Sequence, residues 1–268
     1  MNTHPLDMAA AEALFAFWRD AGVDACFEAE PVDRTIFVAP TPKTMATVTP
    51  IRAPGAAPSV DDAVAEARRL AAGAQSLDEL AQAIAAFEGC PLRAMGARQA
   101  VVARGNPQGS LMIIGEGPGA EEDARGQPFV GQAGQLLDRI LTAAGLLDEA
   151  FITNTVFWRT PGHRPPTPQE QAICAPFVER ACALLKPRAV LLVGATSAKA
   201  VLKTDEGLMR VRGQWREWRL SEGGLTVPAM ATLHPAFLLR QPQAKGLVWQ
   251  DILNLSARLA AEAVEPDA

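Results

Sequence analysis

Four short apolar runs, LMIIG (111–115), FITNTVFW (151–158), AVLLVG (189–194) and VPAMATL (227–233), recur through the later part of the chain with amphipathic segments between them. No other feature narrows the possible folds so far. Each run is short, apolar and bounded by turn residues, which predicts a buried strand. The segments between them predict helices. Residues 134–144 carry Leu136, Leu137, Ile140 and Leu141 on one stripe and stop at Gly145, 168–185 ends before Pro187, and 197–202 forms a third. Apolar strands that alternate with helices imply a parallel sheet covered on both faces. The expected fold is therefore α/β, a three-layer α/β/α sandwich around a central four-stranded, mainly parallel sheet. Ligands in such folds collect at the carboxyl ends of the strands.

The beginning of the chain reads differently. Residues 7–21 have helical spacing (Met8, Leu14, Phe15, Trp18), and the Pro-, Thr- and Ala-rich stretch that follows has a linker composition. Residues 61–72 and 77–87 predict two further helices, the second opened by Ser76 with Asp78 and Glu79 in its first turn. The expected organisation is a helical segment at 1–35, a flexible linker at 36–60 and one catalytic-sized domain at 61–265. No apolar run approaches the ~18–20 residues needed to cross a bilayer, and no basic cluster precedes the first apolar stretch, so a cytoplasmic protein is expected. Four cysteines without a Cys-x-x-Cys pair do not make a disulfide framework. A net charge of −5 excludes a general nucleic-acid coat but leaves room for a local basic face.

The residues with chemistry fall where the strands end. GEGPGAEEDARGQPFVG (115–131) follows the first strand and sets two adjacent carboxylates and Phe129 on a glycine-hinged loop. Its Gly115-x-Gly117-x-x-Ala120 spacing fits a dinucleotide fingerprint weakly, because Pro118 and three acids stand where pyrophosphate would meet a helix. Asn154 interrupts an apolar strand and must be paired, either with backbone or with the edge of a planar amide. Histidine occurs three times, at positions 4, 163 and 234. His234, in TLHPAFLLR (232–240), is either a helix cap or a donor to a developing anion. LMRVRGQWREWRL (208–220) places four arginines beside two tryptophans, as a solvated hairpin or a phosphate-contacting edge.

Five stretches, GEGPGAEEDARGQPFVGQAGQLLDRIL, ITNTVFWRTPGHRPPTPQEQAIC, LKPRAVLLVGATSA, VRGQW and TLHPAFLLR, together resemble the uracil-DNA glycosylase superfamily, specifically its family-four branch, over roughly residues 88–255. The resemblance implies a base-excision repair enzyme that flips uracil out of DNA and hydrolyses its N-glycosidic bond, leaving an abasic site. It implies that Phe129 stacks on the base, Asn154 reads its O4 and N3 edge, and Gly117 and His234 stabilise the charge at O2. Glu116, with Glu122 second, would position the attacking water. Leu238, flanked by Phe237 and Leu239, would fill the gap in the base stack. Arg164, Arg212 and Arg240 are the expected DNA contacts, uracil-containing DNA the expected partner, and a monomer the expected state.

Two departures from the family pattern alter those expectations. The resemblance implies four cysteines around a [4Fe–4S] cluster, and in this chain those positions hold Phe87, Cys90, Trp158 and Cys174. Two thiolates are too few for a cluster that takes four, so no cofactor and no metal is expected. The second departure is His163, where the family commonly has Asn. A related subfamily uses a loop histidine to become covalently attached to the sugar. The alternative activity is therefore a non-catalytic or covalently trapping uracil- or abasic-DNA binding protein of the same fold.

Overall fold

The computed structural model describes residues 59–221 and 223–264. The expected N-terminal helical segment and nearly all of the expected linker lie outside the described residues. The chain enters through helices α1 (Val60–Gly73), α2 (Leu77–Ala86) and α3 (Pro91–Ala94). Ser59 and Asp62 cap α1 reciprocally, each side chain accepting from the other's backbone N–H. Then follow β1 (Ala103–Gly105), β2 (Leu111–Gly115), α4 (Ala120–Arg125), α5 (Gln132–Ala143), β3 (Ala150–Asn154), α6 (Pro168–Leu185), β4 (Ala189–Val193), α7 (Ala195–Leu202), α8 (Leu208–Val211), β5 (Trp215–Arg219), β6 (Thr226–Thr232), α9 (Pro235–Arg240) and α10 (Lys245–Val264).

The four expected strands form a parallel core, and the sheet carries two more. Its order is β1-β3-β2-β4-β6-β5, with β1 antiparallel to β3 and β5 antiparallel to β6. Among the described residues it thus has six strands rather than the four expected. Both additions lie at edges, where one face or one flank meets water and the apolar signal is lost. β5 is WREWR, part of the stretch read as a basic hairpin; it is indeed the outer arm of a hairpin with β6. β3 is shorter than its apolar run, since the chain leaves the sheet after Asn154.

Alternation along the strands divides the core into two layers. Met112, Ile114, Val190 and Leu192 face α1, α2, α6 and α7. Leu111, Ile113, Leu191, Val193 and Met230 face α5, α9 and α10. Three layers result. Because β2, β3, β4 and β6 run parallel, Gly115, Asn154, Gly194 and the residues after Thr232 all emerge at the same end of the sheet.

Candidate active site

At that end β2 and β3 set Gly115 directly beside Asn154. A Cβ on Gly115 would stand 2.4 Å from the Phe129 ring and 2.5 Å from Asn154 Oδ1, so only glycine lets the ring and the amide approach each other here. Asn154 is 1% exposed, and its Oδ1 has no hydrogen-bond partner. A buried amide oxygen left bare costs about 1–3 kcal/mol, so this acceptor calls for an explanation.

Phe129 is held in a left-handed conformation, φ 54°, costly for a bulky residue. Two clamps hold it. The Glu122 carboxylate accepts from the N–H groups of Gly119, Val130 and Gly131 at 3.0–3.1 Å. Arg104 of β1 donates to the Pro128 and Phe129 carbonyls and pairs with Asp138 at 2.6 Å. Glu122 is thereby engaged as a staple for the loop. The Glu116 carboxylate has no hydrogen bond or ion pair among the described residues and is only half-buried. Thr155 Oγ1 fixes its backbone by donating to the Glu116 carbonyl at 2.6 Å. Gly117 lies alongside, close against Val156.

His234 follows β6, and its ring stacks near Phe129 with centroids 5.8 Å apart at 28°. The Ala236 N–H donates to His234 Nδ1 at 3.1 Å, so the neutral imidazole carries its proton on Nε2. Burial, reinforced by Arg240, lowers the imidazole pKa to about 4. His234 therefore caps α9 through Nδ1, which leaves the Nε2–H of the neutral ring as its donor. A planar base interleaved between the rings needs two gaps of roughly 3.5 Å. The observed separation is smaller, so the two rings as they stand leave no room for a base between them.

The expected DNA contacts divide. Arg240 is exposed at the end of α9. Arg164 sits on the loop after β3 but makes a two-pronged pair with buried Glu170, at 2.8 and 2.5 Å, which holds the Glu170 carboxyl below its usual range. Arg212 is turned inward: its side chain is 14% exposed and pairs with Asp251 at 2.8 Å, so it does not offer its charge to a phosphate. Leu238 is also corrected. It is fully buried against α5, whereas Phe237 (37%) and Leu239 (42%) project outward, so only these two of the three are exposed. Leu238→Ala is accordingly expected to lower stability by about 2–5 kcal/mol, measured as a fall in Tm. Leu239→Ala should leave Tm almost unchanged and weaken binding to duplex DNA. His163 is exposed with φ 55°, beside Gly162 at φ 61°.

The family model for the uracil DNA glycosylase superfamily matches residues 102–253, which spans the loop, the amide and the histidine described above. The chain belongs to that superfamily. A Type-4 uracil-DNA glycosylase of Pyrobaculum aerophilum is 37% identical over 181 residues, 66% of this chain and 91% of that protein. One from Thermotoga maritima is 36% identical over 167 residues, covering 61% and 84%. One from Saccharolobus solfataricus is 31% identical over 198 residues, covering 72% and 90%.

In this member of the superfamily the four positions assigned to cluster ligands do converge. Cys90 and Cys174 are both buried, and the Cys90 side chain, together with burial, raises the Cys174 thiol. Phe87 and Trp158 stand 6.4 Å apart, and Phe87, Phe157, Trp158 and Phe177 interlock, with neighbouring ring centroids 5.2–6.4 Å apart. All six of these residues are at most 2% exposed. Two thiols and a packed set of rings supply neither the ligands nor the room for a four-iron cluster, so the residues present do not fit one.

Proposed function

We propose that this protein is a monofunctional uracil-DNA glycosylase of base-excision repair, hydrolysing the N-glycosidic bond of uracil in DNA without an iron–sulfur cluster or any other cofactor. The observation that carries this reading is the orphaned Oδ1 of Asn154 beside the Phe129 ring. Uracil stacked on that ring offers N3–H to Oδ1 and O4 to the amide N–H, an edge cytosine cannot match because its N3 accepts and its N4 donates. The superfamily match and the names of the relatives point the same way.

In this reading the nucleotide is flipped out of the stack, with Leu239 or Phe237 entering the gap and Arg240 contacting the backbone. The bond between C1′ and N1 breaks heterolytically. The electron pair leaves on the base as a uracil anion, and positive charge develops on the sugar. His234 Nε2–H and backbone donors around Gly117 face the anion at O2; one such donor typically contributes ~10²–10³ in rate. Glu116 offsets the sugar charge and accepts a hydrogen bond from the water that attacks C1′; the proton this water loses ends, through solvent, on the departing uracil anion. Glu122 contributes by holding Phe129 in place. The enzyme acts as a monomer in the cytoplasm; no described helix is long and apolar enough to cross a membrane.

The test is a single-turnover assay on an end-labelled oligonucleotide with one uracil. Strand breaks that appear only after alkali are the expected result. A shifted but uncut oligonucleotide would point to a binding protein, and a shift surviving denaturant to a covalent one through His163. The purified protein should show no absorbance near 400 nm and contain no iron.

A further inference from the structure

We infer that Asp251 and Thr232 are positioning residues for His234, which they hold at the end of β6 through a buried polar hub that also takes in Arg212. The inference rests on the functional reading of His234 above. Thr232 is the last residue of β6, two positions before His234, and is 2% exposed. Its Oγ1 donates to Asp251 Oδ2 at 2.6 Å, and its carbonyl accepts from Gly194 N at 2.9 Å. The strand end is thus held from α10 on one side and from the turn between β4 and α7 on the other.

Asp251 is 3% exposed and ties down a third segment as well. Its Oδ1 accepts from Arg212 at 2.8 Å, and Arg212 also donates to the Leu247 carbonyl. Gly213, at φ +70°, donates to the Ala231 carbonyl at 2.9 Å, and a Cβ there would stand 2.5 Å from Asp251 Oδ1. One carboxylate therefore joins α10, the link between α8 and β5, and the last turn of backbone before His234. VRGQW supplies the middle of this joint.

A purely apolar contact would stabilise these elements at least as well, because burying an ion pair gains little over good packing. What the hub adds is direction. Hydrogen bonds at both ends of Thr232 fix the register of the strand end, and the Cβ of His234 stands within 3.3 Å of where a side chain on Gly194 would begin. A shift of the strand end moves the Nε2 proton away from the leaving base, and a 1 Å misplacement can cost ~10²-fold in rate.

Thr232→Val keeps the shape of the side chain and removes its donor; Thr232→Ser restores the donor. The single-turnover excision rate of Thr232→Val is expected to fall about 10-fold or more with affinity for uracil-containing DNA unchanged, and Thr232→Ser to recover to near the wild-type rate. Asp251→Asn should behave like Thr232→Val. The imidazole nitrogen resonances of His234, one of only three histidines in the chain, provide a readout independent of catalysis. They should shift in Thr232→Val and return in Thr232→Ser. Lowered Tm with unchanged rate and unchanged resonances in Thr232→Val would reduce the hub to a structural brace and overturn the inference. Failure of the wild type to excise uracil would instead sink the functional reading, while the resonances would still decide the positioning claim.

Discussion

Asn154→Asp is expected to lower single-turnover uracil excision at pH 7–8 by about 10³-fold or more, in the range by which sites built around a polar contact reject a ligand that leaves it unmade. The two side chains are nearly the same size, so the pocket keeps its shape and the effect isolates hydrogen-bonding character. The carboxylate has no donor for O4 and sets a negative oxygen against that acceptor. At 1% exposure it is also a buried charge beside the Phe129 ring. Burial raises a carboxylic acid's pKa, and the protonated acid regains one donor. Activity of the variant should therefore rise as pH falls from 8 towards 5, the opposite of ordinary acid inactivation. A rate within threefold of wild type across that range would show that Asn154 is structural and would remove the main support for uracil as substrate.

Replacing His234 by alanine should cost ~10²–10³ in the excision step without comparable loss of DNA binding. The pH behaviour is more diagnostic. With the imidazole pKa lowered to about 4 by burial, His234 is neutral throughout the physiological range. Its Nε2–H remains a donor, because the Ala236 N–H occupies Nδ1. The wild-type excision rate should therefore show no inflection near pH 6.5. Stability should respond instead. Between about 6.5 and about 4 the unfolded chain binds a proton at this residue that the folded chain does not, so stability falls as pH drops through that window. Comparing Tm at pH 7, 5.5 and 4.5 in wild type and His234→Ala checks the sign: the wild type should lose more. An NMR titration placing His234 near 6.5 would contradict the account.

Much of this was legible in the sequence because it is carried by local pattern. The four parallel strands announce themselves as apolar runs, and Asn154 as a polar residue inside one of them. What was not legible depends on partners far along the chain. Arg212 reads as a surface cation until Asp251, 39 residues on, is seen to neutralise it. Arg104 supports Phe129 from a three-residue edge strand with no apolar signal of its own. Phe237, Leu238 and Leu239 are three consecutive apolar residues on a six-residue helix, too short for periodicity to say which one faces the core. The two acids of the loop could be separated only by seeing which carboxylate the backbone had already claimed.

The ring cluster at Phe87 and Trp158 changes what the cell must provide. On the cluster-free reading proposed above, a junction closed by side chains alone would call on no sulfur donor and no assembly scaffold during folding. On the same reading, scarcity of iron would leave this protein's supply untouched.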